Sequence, residues 1–153
     1  MDKSKNWLQK MQVLCSKKEY CTSEIIAKLP KDELSPEEIQ EIINKLKKEN
    51  YLNEHRYVSA FVHDKLFYTH WGKIKIRYAL MQKYIDTEII SEVMDSIDKN
   101  EYIQLFVPVA RAKWKAFKKE NASIKKQKTI KYLMSKGLEY DIAASIVEVL
   151  KEK

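Results

Sequence analysis

Glycine and proline are nearly missing from this chain, whose 153 residues contain two glycines and three prolines. A many-stranded sheet, a phosphate-cradling loop or a dinucleotide fold needs many more residues that take positive φ or lock a turn, so this scarcity predicts an all-α protein. Cysteine is equally sparse. Cys15 and Cys21 are too few to frame a disulfide scaffold and are expected to be reduced packing residues. No stretch approaches the roughly 20 apolar residues of a membrane span. Met1 to Asn6 is polar, and Trp7, Leu8, Met11 and Leu14 are spaced for a helix face and not for an export signal. A cytoplasmic protein with no membrane partner is therefore expected. No compact metal-ligand motif occurs either. His63 and His70 could share a helix face, with Cys15 or Cys21 as further ligands, but their spacing matches no known set. His55 has no neighbour that marks it as a general base, and Glu37 and Glu38 are better explained by a helix start than by acid catalysis. The expectation is no cofactor, no metal, no catalytic residue and no enzymatic activity.

What is present is a pattern used three times. Leu29, Ile39, Ile42, Ile43 and Leu46 have apolar counterparts 51 residues later in Leu80, Ile90, Val93, Met94 and Ile97, and again 53 residues further on in Leu133, Ala143, Ile146, Val147 and Leu150. Repetition at such a period indicates one supersecondary unit stacked on its copies, each covering an apolar face its neighbour cannot bury alone. The chain is thus expected to be a tandem array of three three-helix, helix-turn-helix-like repeats, at residues 1–50, 51–100 and 101–153, elongated and curved. Such a chain is better suited to present a surface to another macromolecule than to enclose a pocket.

Local signals support three helices per copy. In the first, Cys21, Thr22 or Ser23 could cap a short helix carrying Ile25, Ile26 and Leu29, which Pro30 ends; Ser35, Pro36, Glu37 and Glu38 then open another. In the second, Asn53 is a plausible cap for an aromatic-rich helix with Tyr57, Ala60, Phe61 and Asp64 to Phe67, Gly72 breaks the chain, and Asp86 starts the last helix. In the third, helices are expected from about Tyr102 to Lys119, from about Ser123 to Lys136, and from Asp141 to Leu150, with Gly137 as a stop signal. Pro108 predicts a kink or a restart in the first of these.

Charge is unevenly spread. The net charge of +7 divides into +1, 0 and +6 over residues 1–50, 51–100 and 101–153, and between Arg111 and Lys131 only Glu120 opposes a run of lysines. The run reads either as a well-hydrated pair of helix surfaces or as an electrostatic footprint for phosphates or an acidic protein groove. Candidate contacts are Lys113, Lys118, Lys125, Lys126, Lys128 and Lys136, together with Lys73, Lys75 and Arg77, where Lys73 and Arg77 are four apart on one helix. Tyr57, Phe61, Tyr68, Trp71 and Trp114 could offer stacking platforms to unpaired bases. Tyr57 and Phe61 are expected in the core, and Trp71 is kept as a contact candidate. Arg56, beside Glu54, is either a contact or a salt bridge fixing the repeat junction.

Three stretches carry a family likeness. Leu52, Asn53, Glu54, Arg56, Tyr57, Ala60, Phe61 and Val62 resemble the motif joining the first and second repeats of the RecX family of recombination regulators. Trp71, Gly72, Ile76, Arg77, Leu80 and Lys83 to Asp86 resemble that family's aromatic-glycine signature, and Lys136, Gly137, Leu138, Tyr140 and Asp141 its carboxyl-terminal one. The likeness implies a non-enzymatic monomer that binds the RecA recombinase filament on single-stranded DNA, touching duplex DNA weakly, and that limits filament growth, ATP hydrolysis and strand exchange. The chain departs from the family where Lys18, Tyr20 and Cys21 replace a more basic stretch, where Asn50 and Tyr84 replace frequent glycines, and where Lys73 replaces a common proline. A double-stranded DNA reader using one helix in the major groove is the alternative, and a purely protein-binding scaffold a third, although no helix has the Arg, Asn and Gln enrichment that base reading needs.

Overall fold

The structure is a computed structural model, described here over residues 2–151. Nine α-helices and one π-helical turn make up the regular structure of the described residues, which contain no strand. In chain order they are α1 (Asp2–Lys17), α2 (Thr22–Lys28), α3 (Pro36–Lys48), α4 (Glu54–Asp64), the π turn (Lys65–Thr69), α5 (Lys73–Gln82), α6 (Thr87–Asp95), α7 (Lys99–Ala116), α8 (Ala122–Ser135) and α9 (Tyr140–Lys151). The all-α, repeated helical architecture is therefore as the apolar pattern predicts. Of the fifteen repeated positions, thirteen are buried; Ile39 and Ile97 are half-buried.

Local chemistry sets the helix starts. The Ser35 hydroxyl accepts from the Glu38 amide at 3.1 Å while Glu38 accepts from the Ser35 amide at 2.9 Å, closing a capping box ahead of Pro36; a cap of this kind contributes about 1 kcal/mol. Asn53, Asp98 and Asn121 accept from the amides of Arg56, Glu101 and Ile124 at 2.9, 3.0 and 2.9 Å. At the helix ends, the Tyr51, Ile85 and Leu138 amides reach back to the Leu46, Leu80 and Leu133 carbonyls. Each reach-back requires a left-handed residue just before it, and those residues are Asn50 (φ 64°), Tyr84 (φ 61°) and Gly137 (φ 100°).

Two expectations are corrected. The aromatic segment does not continue as α-helix past Asp64: the π turn Lys65–Thr69 follows, closed by left-handed His70 (φ 58°), with the Trp71 amide donating to the Lys65 carbonyl at 2.9 Å. The wider turn buries Leu66 and leaves Phe67 and Tyr68 exposed. Nor does the third repeat's first helix restart at Pro108, since α7 runs unbroken from Lys99 to Ala116. Pro108 and Gln104 both face solvent, so water can satisfy the carbonyl that the proline leaves unpaired.

The helices gather into two compact units, one formed by the residues through Ala60 with Leu80–Ile90, the other by Phe61–Ala79 with Ser91 onward. In the first, α1 and α2 both pack on α3 around Met11, Ile25, Leu29, Ile42, Ile43 and Leu46. In the second, α7, α8 and α9 pack pairwise, burying Tyr102, Phe106, Leu133, Ile146 and Val147.

Candidate functional site

The first unit turns its conspicuous polar residues inward, as fasteners. Arg56 Nε donates to Glu19 at 2.5 Å, and its Nη2 donates to the carbonyls of Asn50 and Tyr51 at 3.1 and 3.3 Å. Glu54 accepts from both the amide and the hydroxyl of Thr22, at 2.8 and 3.0 Å. Glu24 accepts from the Cys21 amide at 3.0 Å, from the buried Tyr57 hydroxyl at 3.2 Å and from Lys83 at 2.9 Å. Burial pushes the Glu24 carboxyl up, but the Cys21 amide and the Lys83 ammonium outweigh it and hold the group below its ordinary value. Burial and the same carboxylate raise the Tyr57 phenol. Three members of the junction motif, Glu54, Arg56 and Tyr57, thus clamp the start of α2 and the turn after α3. Arg56 pairs with Glu19 and not with its neighbour Glu54, and its side chain stays 37% exposed.

In the second unit the chain's two glycines, 65 residues apart, meet back to back. A Cβ on Gly72 would lie 2.3 Å from the Gly137 carbonyl carbon, and one on Gly137 would lie 2.5 Å from Lys75 Cβ. That approach lets the end of α8 cap the start of α5: the Gly72 and Ile74 amides donate to the Lys136 and Gly137 carbonyls at 2.6 and 3.0 Å. The Lys73 amide donates to the Tyr102 hydroxyl at 2.9 Å, which in turn donates to Glu139 at 3.0 Å. Burial is the main reason the Tyr102 phenol is raised, the Lys73 amide pulling against it.

Around this junction cations rest on aromatic faces. Lys65 and Lys75 lie 4.6 and 4.8 Å from the Trp71 ring, and Lys73 lies 4.8 Å from the Tyr102 ring. Among the described residues no carboxylate pairs with these three lysines. Arg77 donates to Ser91 at 3.3 Å, and Lys136 to the Thr69 carbonyl at 3.3 Å. Lys65 and Tyr102 escaped the sequence reading; the four-residue step from Phe61 to Lys65, whose ammonium sits 5.4 Å from the Phe61 ring, was the one available signal for the lysine.

A second cluster joins α7 to α8. Lys125 sits 4.3 Å from the Trp114 ring, Lys113 lies 4.6 Å from Tyr132 and 6.0 Å from Phe117, and Lys128 lies 5.5 Å from Phe117. Lys126 and Lys128 also pair with Glu148 and Glu120, at 3.3 and 2.7 Å, so they are partly neutralised. Lys118 is exposed. His63 stacks on Phe67 at 4.5 Å and His70 meets Phe106 edge-on, and the described residues contain no group of three metal-ligating side chains. None of the described helices is long and apolar enough to cross a membrane.

The family described as RecX, second three-helix domain, matches residues 53–94. A regulatory protein RecX of Clostridium botulinum is 36% identical over 112 residues, covering 72% of this chain and 52% of that protein. The chain belongs to the RecX family. A Clostridium perfringens regulatory protein RecX is 31% identical over 129 residues, 83% of this chain and 60% of that one. The chain thus spans a little over half the length of these two relatives. In fold, the crystal structure of RecX from Lactobacillus salivarius matches with a TM-score of 0.92 at 22% identity, over 99% of both chains. Both relatives are named as regulatory proteins.

Proposed function

We propose that the chain is a non-enzymatic regulator that binds the RecA recombinase filament on single-stranded DNA and restrains its growth, its ATP hydrolysis and strand exchange. The observation that carries this reading is the set of cations held on aromatic faces in the second unit, at Trp71 and at Trp114. An ammonium on an indole keeps its charge while its stem stays fixed, so it meets a polyanion with less side-chain entropy to lose than a free lysine. Lys113, Lys118, Lys125, Lys126, Lys128 and Lys136 face the filament's phosphates, Lys73, Lys75 and Arg77 extend the cationic surface, and Trp71 supplies an aromatic plane. Several modest contacts replace one deep pocket. The chain acts as a cytoplasmic monomer, and its grip on naked duplex DNA is weak.

The test is RecA-dependent ATP hydrolysis stimulated by single-stranded DNA, titrated with this protein. Hydrolysis falls with rising protein concentration, and replacing Lys73, Lys75 and Arg77 together by glutamine shifts the inhibition to higher concentration while helicity stays unchanged. Undiminished hydrolysis across the titration rejects the reading, and an unshifted variant removes the α5 cations from the surface.

A further inference from the structure

Helix α5 is apolar on two opposite sides. Ile76 and Leu80 are fully buried, yet Ile74 and Tyr78, also one turn apart, are 55% and 64% exposed. At 100° per residue Ile74 and Tyr78 form one strip, with Lys75 along one flank and Arg77 along the other, and the helix sequence KIKIRYALMQ contains no acid. Core packing asks for only one apolar stripe on a surface helix. The second stripe is left largely open to solvent.

We infer that this strip docks a protein segment, one that presents an apolar side chain between carboxylates, and that within the proposed complex the recombinase supplies it. The inference rests on the filament reading above and divides its surface by partner: α5 meets protein, and the α7–α8 lysines meet phosphate. Three observations favour an acidic, apolar protein segment. Ile74 has neither a π face for a base nor a hydrogen-bonding group for a phosphate, so its exposure is of use only against another apolar side chain. The flanking Lys75 and Arg77 complement carboxylates and set orientation. A second copy of this chain is a poor fit, because two-fold pairing of a strip edged by cations sets like charges against each other.

The experiment compares the wild-type chain with the I74Q/Y78Q variant, whose replacements are exposed and favour helix, so its circular dichroism stays that of wild type. Each is titrated against RecA filament assembled on single-stranded DNA with a non-hydrolysable ATP analogue, and against the same oligonucleotide without RecA. The variant loses at least tenfold in affinity for the filament, while affinity for the bare oligonucleotide stays within twofold of wild type or is too weak to detect for both. Parallel loss on filament and oligonucleotide overturns the inference in favour of a nucleic-acid contact, and unchanged filament affinity overturns it outright. Wild-type protein that fails to bind the filament rejects the proposed function itself, and the docking strip with it; that outcome is distinguished by appearing before any substitution is made.

Discussion

Single residues carry an unusual share of the architecture because the chain has so few permissive ones. Where left-handed backbone is required, only Gly137 is a glycine; Asn50, His70 and Tyr84 take the same region with side chains attached. Asn tolerates it through local hydrogen bonding, but Tyr does not, and Tyr84 is 88% exposed, so its ring gains little in return. Tyr84→Gly should therefore raise stability by about 0.5–1 kcal/mol, the relief of left-handed strain less the greater freedom of an unfolded glycine, read as a higher urea midpoint; a lower midpoint would mean that the exposed ring has a role in folding. Gly72→Ala should do the opposite, costing about 3 kcal/mol, because a Cβ 2.3 Å from the Gly137 carbonyl carbon meets backbone that cannot turn aside. A Gly72→Ala midpoint equal to wild type would contradict the back-to-back packing. The sequence marks both glycines as breaks between helices. It does not say that they touch, since a contact across 65 residues leaves no local pattern. Arg56 is similar: its type suits both an anion site and a junction clamp, and its partner Glu19 lies 37 positions away, beyond any local pattern.

Elements show which signals are local enough to read in advance. Helix caps at Ser35 and Asn53 are legible, because donor and acceptor lie three residues apart. The π turn after α4 is not, since Lys65–Thr69 differs from α-helix by one hydrogen-bond register that propensity does not encode. In α7 the restart expected at Pro108 does not occur, because solvent on that side of the helix absorbs the cost of the missing hydrogen bond. At the start of α2, Glu24 gathers Cys21, Tyr57 and Lys83 and its carboxyl is held below the ordinary value. A carboxyl with a depressed folded-state pKa stabilises the protein above its unfolded value, near pH 4.3, and that contribution is lost as pH falls through the lower folded value. Thermal melts from neutral to acidic pH should thus show the transition dropping on the acid side, and Glu24→Gln should be less stable at neutral pH with a shallower acid decline. An acid limb unchanged by Glu24→Gln would mean that this junction contributes nothing to acid unfolding.

Across the whole molecule, the threefold apolar spacing announces the fold because burial follows it at nearly every repeated position. Function is less legible from the same letters. The surplus of charge in the last third is plain, but which lysines are available is decided by partners in space: Glu148 and Glu120 partly occupy Lys126 and Lys128, while Trp71 and Trp114 hold Lys65, Lys75 and Lys125 on aromatic faces. A regulator that works by touching a polyelectrolyte must show it in its response to salt, since every phosphate neutralised releases counterions. The most direct measurement is the affinity of the fluorescently labelled chain for RecA filament on single-stranded DNA as salt is varied. The account predicts a linear fall of log affinity with log salt, by roughly 0.7 for each phosphate contacted, with a shallower slope when Lys113, Lys125 and Lys128 are replaced by glutamine. No binding at low salt, or binding indifferent to salt and to those three lysines, would contradict it.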